Sequence, residues 1–131
     1  MAHDERLLAR FFIPNKRERY SEMLSHPKKR SKFLRELVHL THLDSRYILP
    51  IPPKKLFPDQ ILAILTQKGA PQTCWATSEN PDLDGREMPL LEALKEVVGL
   101  QMSTFLSCIP GKLAYYEGEA MGDRWILERR D

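Results

Sequence analysis

Apolar positions recur at helical spacing in the first third of the chain, and in short alternating or continuous runs after it. Leu7, Leu8, Phe11 and Phe12 form one stripe, with Asp4 placed to cap the helix that carries it and Pro14 placed to end it. Asn15 followed three positions later by Glu18 has the form of a capping box, and Tyr20, Met23 and Leu24 follow at helical spacing. Pro27 suits the first turn of a third helix, in which Phe33, Leu34, Leu37, Val38 and Leu40 keep the period to about Thr41.

From residue 45 the pattern changes. Arg46–Ile51, Thr73–Thr77, Thr104–Ile109, Leu113–Glu117 and Arg124–Glu128 read as strands. Pro58 and Pro89 each open a helix, closed by Gly69 and Gly99. All six glycines lie from residue 69 onward, so the helices before it are separated by prolines alone. The alternation of strands and helices predicts right-handed parallel crossovers, and the last three strands predict an antiparallel meander. The expected fold is therefore α+β. It has a mixed five-stranded sheet with two crossover helices, and an N-terminal three-helix segment packed on it. Residues 1–131 form a single domain in this reading, with a helical part (1–44) and a sheet part (45–131). Tyr115 and Tyr116 must point to opposite faces. Trp125 is expected in the core, with Ile126 opposite, covered by the N-terminal helices or by another subunit.

The 131 residues are ordinary in composition, with 42% hydrophobic and 29% charged, which excludes collagenous and low-complexity chains. The longest uncharged stretch, 97–111, is too short and too polar to span a bilayer. The first residues show no apolar leader, and two cysteines do not make a disulfide framework, so a soluble chain in the reducing cytoplasm is expected. No nucleotide-binding, phosphate-loop or zinc-protease motif is present, and no cofactor is expected.

Charge is distributed unevenly. Residues 1–45 hold ten Lys and Arg against six Asp and Glu, whereas 46–131 hold ten against twelve. At about 100° per residue, Lys32, Arg35, His39 and His42 fall within about 40° of Lys28, while Leu37 falls opposite. The third helix is thus expected to anchor one face inward and to present a cationic ridge of Lys28, Lys29, Lys32, Arg35 and His39. Lys16, Arg17, Arg19 and Arg30 would widen it. Such a ridge attracts phosphate without reading sequence. Three neighbouring cations argue against a zinc site at His39 and His42.

A second candidate is the acidic segment 79–87, whose Glu79, Asp82, Asp84 and Glu87 are the residue types that hold a hard cation. Asn80-x-Asp82-x-Asp84-Gly85 matches the opening of a calcium loop, but the twelfth position is Leu91 where a bidentate Glu belongs. Glu117 and Glu119, two apart, form a further carboxylate pair. Cys74 and Cys108 sit among apolar neighbours and read as small core hydrophobes.

The functional expectation is a non-enzymatic binding or regulatory module that turns its basic helical face to an acidic protein or nucleic acid. The alternatives are a small metal-assisted hydrolase using the acidic loop, with Glu117 or Glu119 as helper, and a self-associating protein whose last strand forms a subunit edge. No membrane partner is expected.

Overall fold

Proline sets the spacing of the first three helices, α1 (Ala2–Phe11), α2 (Pro14–Ser25) and α3 (Pro27–Glu36). A residue before proline is pushed out of the helical region, and both Ile13 (ψ 140°) and His26 (ψ 112°) are extended. The computed structural model describes residues 2–36, 43–52, 54, 57–120 and 122–131, with the backbone alone of Ala2, Ser31, Leu34, Arg35 and Glu36. The expected continuation of α3 to Thr41, with His39 and His42, lies outside the described residues. Two expected caps are not used. Asp4 lies inside the first turn of α1, and α2 begins at Pro14 with Ile13 as an N-cap that makes no side-chain bond, so Asn15 and Glu18 form no capping box. Among the described residues no helix is long and apolar enough to cross a membrane.

A short 3₁₀ turn (Ser45–Tyr47) leads into β1 (Ile48–Pro50), then α4 (Pro58–Gln67), β2 (Thr73–Ser78), β3 (Arg86–Pro89), α5 (Leu90–Val97), β4 (Thr104–Ile109), β5 (Leu113–Glu117) and β6 (Arg124–Glu128). The strands form one six-stranded sheet in the order β1-β6-β5-β4-β2-β3, and every neighbouring pair is antiparallel. This corrects the expected five-stranded mixed sheet in two respects. First, β3 occupies a segment expected as loop; it pairs with β2 as a hairpin, with Thr73 opposite Pro89 and Ala76 opposite Arg86. Second, α4 and α5 do link strands that point the same way, but β6, β5 and β4 separate β1 from β2, and β2 separates β3 from β4. No parallel pair therefore forms. β6 is flanked on both sides, so it offers no free edge to a second subunit, contrary to the self-association reading.

Side-chain alternation sends the two faces of the sheet to two cores. Cys74, Ala76, Leu106, Cys108, Leu113, Tyr115 and Ile126 pack with Ile61, Leu65, Leu90, Ala93, Leu94 and Val97 of α4 and α5. Phe105, Ala114, Tyr116 and Leu127 pack with Leu7, Leu8, Phe11, Phe12, Tyr20, Met23 and Phe33 of the N-terminal helices. Tyr115 and Tyr116 do face opposite ways, and both are wholly buried. The roles of the next pair are reversed from expectation. Ile126 is buried under α4 and α5, while Trp125 is only half-buried against the N-terminal layer.

Phe12 centres the second core, with its ring 5.7 Å from Tyr20, 6.2 Å from Phe33 and 5.9 Å from Phe105. Truncating it strips packing from two helices and the sheet at once. Phe12→Ala is expected to lower the unfolding free energy by about 3–5 kcal/mol in urea titration. Phe57→Ala, at an exposed position, should change it by less than about 0.5 kcal/mol.

Candidate functional site

The phase of α3 is fixed by what it buries. Phe33 is fully enclosed, its ring 5.2 Å from Tyr20 of α2. With that side inward, Lys28, Lys29 and Lys32 stand on the exposed side. The first turn of α3 contains no acidic residue, so Lys28 and Lys29 sit against the positive end of the helix dipole. Lys29 Nζ reaches Glu22 Oε1 of α2 at 3.2 Å, but both side chains are exposed and the pair contributes little. Lys28 and Lys32 make no ion pair or hydrogen bond among the described residues. A cleft of about 260 Å³ between the two helices is lined by Arg19, Glu22, Met23, Lys29 and Lys32, three cations against one carboxylate. Arg35 and His39 belong to the same ridge by sequence; the side chain of Arg35 and all of His39 lie outside the described residues.

The other cations assigned to widen the ridge divide. Arg17 donates from Nε to the Phe12 carbonyl at 3.0 Å. Lys16 is half-buried, and Arg19 lines the cleft. Arg30 points the other way. Its Nε and Nη2 donate to the two carboxylate oxygens of Asp84 at 2.6 and 2.8 Å, and Nη1 donates to Asp4 at 3.1 Å. The hydrogen bonds to Asp84 are the main reason its pKa is raised, against the cost of burial, so the guanidinium stays charged. Asp4 also accepts from Thr77 Oγ1 at 2.7 Å, and Asp84 from the Ser78 amide at 3.0 Å. The helical phase holds the signal: Arg30 falls about 200° from Lys28, on the inward side, where an arginine requires carboxylate partners.

These bonds also redefine the acidic segment. It is the loop of the β2–β3 hairpin, with Gly85 at φ +75°, rather than a lead into a crossover helix. Asp84 is engaged by Arg30. Glu79 accepts from the Ser103 amide at 2.9 Å, and Asp82 is exposed in a turn whose amide bonds Asn80 Oδ1 at 3.0 Å. Glu87 stands exposed on β3 opposite Trp75. The four carboxylates are thus held apart in different surroundings, and among the described residues no three Asp, Glu, His or Cys gather as a metal would need.

Glu117 and Glu119 are likewise separated. Glu117 is buried and accepts from the amides of Gly99 (3.1 Å) and Gln101 (2.8 Å) and from Tyr115 Oη (2.8 Å), with Arg124 Nε at 3.5 Å. It fixes a loop in which Gln101 has φ +58°. Glu119 is exposed beyond the end of β5. Cys74 and Cys108 are buried, and burial pushes the Cys74 thiol up to about 12 and raises that of Cys108 as well, so neither supplies a thiolate near neutrality.

One titratable group sits where the N-terminal layer meets the sheet. His3 Nδ1 and Ser107 Oγ are hydrogen-bonded at 2.6 Å, and the imidazole stacks on Trp75 with ring centres 6.1 Å apart. Burial lowers the His3 pKa below its usual 6.5, outweighing the nearby charges of Asp4 and Glu87. Below that value the unfolded chain takes up a proton more readily than the folded one, so His3 removes stability as pH falls. The His3 ring is expected to titrate below 6.5 by NMR. His3→Gln should flatten the loss of stability between about pH 7 and pH 5. A midpoint at or above the ordinary value would contradict this. In comparisons with known proteins, no family model, curated protein or solved structure matches the chain.

Proposed function

We propose that this protein is a non-enzymatic binding module whose α2–α3 face engages the phosphates of nucleic acid. The observation that carries the reading is the first turn of α3, which holds no acidic residue of its own. Lys28 and Lys29 oppose the helix dipole, and neither Lys28 nor Lys32 has a partner among the described residues. Cations that oppose the dipole and have no partner among the described residues are free to meet an external anion. Arg35 and His39 extend the same face by sequence phase. Tyr20 and Phe33 are buried, so among its described residues this face offers no aromatic platform on which bases could stack. The expected engagement is therefore with the backbone, strongly salt-dependent and indifferent to sequence. Two free, buried cysteines suit a reducing compartment such as the cytoplasm.

Reversal of Lys28, Lys29 and Lys32 to Glu tests this, because all three are exposed and their replacement leaves the core intact. In fluorescence anisotropy with a labelled duplex, the wild type should bind at low salt. The triple variant should bind at least about tenfold more weakly, with a salt slope shallower by about 0.9 for each phosphate it no longer neutralises. Equal affinity of the two proteins, or no binding by the wild type, would overturn the reading. Binding to polyglutamate instead of the duplex, abolished in the same variant, would assign the face to an acidic protein.

A further inference from the structure

A separate group of cations, spread between positions 68 and 130, meets at the β4–β5 turn. Lys68 at the end of α4, Lys112 in the turn and Arg129 and Arg130 after β6 surround a cavity of about 130 Å³ that contains one carboxylate, Glu128. Its remaining walls are the apolar side chains of Ile109 and Leu113. We propose that this cavity is a binding site for a phosphate group.

Glu128 is itself largely buried and grips one cation with each oxygen. Lys68 Nζ lies 2.8 Å from Oε1, and Arg130 Nη2 contacts Oε2. The two positive groups are thereby held a carboxylate's width apart, and each retains N–H donors that Glu128 does not use. Lys112 makes no side-chain bond among the described residues. Arg129 belongs to the wall. Its amide donates to the Lys112 carbonyl at 2.9 Å, its Nη1 to the Arg10 carbonyl at 3.1 Å and its Nε to Asp131 at 2.9 Å, while its guanidinium stacks 4.5 Å above Tyr47.

The turn that carries Lys112 is equally fixed. Gly111 has φ +72°, its carbonyl accepts from Arg10 Nε at 3.2 Å, and a Cβ there would come within 2.9 Å of Arg10 Cγ. The turn backbone and Arg129 are therefore in place before any ligand arrives, and the ordering that binding requires falls on the exposed side chains of Lys112 and Arg130. Its volume falls below the roughly 300 Å³ of pockets for drug-sized ligands, which matches a compact anion rather than an extended one. Arg129 is matched by Asp131, but Lys68, Lys112 and Arg130 share the single carboxylate of Glu128, and a phosphate oxygen set can take several of their charge-assisted donors at once.

The site does not depend on the α2–α3 face, and the test separates them. Full-length protein is titrated with inorganic phosphate, and in a second arm with glycerol phosphate, following backbone amides by NMR at an ionic strength held constant with chloride. Saturable shifts confined to Gly111, Lys112, Arg129 and Arg130 are expected. Lys112→Gln and Arg130→Gln, each at an exposed position, should each weaken binding at least about fivefold, as removal of a charge-assisted donor requires. Lys28→Glu should leave it unchanged. Tighter binding of glycerol phosphate would name a phosphate ester as the source; tighter binding of inorganic phosphate would name the free ion. Shifts that do not saturate, or that persist in both cavity variants, would overturn the proposal.

Discussion

Both faces of the sheet are apolar, so both must be covered, and one arginine fastens the cover on the N-terminal side. Arg30 of α3 binds Asp4 of α1 and Asp84 of the β2–β3 loop at once, and these acids take further bonds from Thr77 and Ser78 of β2. Two helices and a hairpin are tied at one point. Partly buried charges of this kind are costly to separate, because removing one partner leaves an uncompensated charge. The rotation of α3 about its axis follows: with Arg30 and Phe33 turned inward, Lys28, Lys29 and Lys32 have nowhere to go but outward.

The same constraint shapes the surface. The acids are drawn inside: Asp4, Asp44 and Glu117 are buried, whereas among the described residues no lysine or arginine is buried to that degree. Glu79, Asp84 and Glu117 also serve as acceptors for backbone amides in loops. The buried acids are matched by arginines, Asp4 and the half-buried Asp84 by Arg30, Asp44 by Arg46 and Glu117 by Arg124, which leaves the lysines of the outer faces to solvent. Among the described residues, cations gather on the α2–α3 face and around the cavity at the β4–β5 turn.

Local chemistry is legible in the sequence. Pro14 separates two helices, prolines 27 and 58 begin helices, and Gly69 and Gly99 close α4 and α5 with positive φ, because these residues act within one turn of the chain. β3 is not legible, because Arg86-Glu87-Met88-Pro89 is an edge strand with no fully buried side chain and so leaves no hydrophobic alternation. The absence of parallel pairs is hidden too, since later strands insert between earlier ones and element order alone does not record it. On the ridge, Lys28 and Lys32 stand where the helical phase puts them and Lys29 flanks them, while Arg30 is misplaced if charges are grouped by proximity along the chain. The cavity cations leave no local signature at all; only the folded chain brings Lys68 beside Arg130.

The central claim is that Arg30 and Asp84 hold the helical layer to the sheet. A double-mutant cycle with Arg30→Met and Asp84→Asn, read by urea unfolding, tests it directly. The account predicts a coupling energy above about 1 kcal/mol, with the double variant less destabilised than the sum of the two single substitutions. Strict additivity of the two substitutions would contradict it.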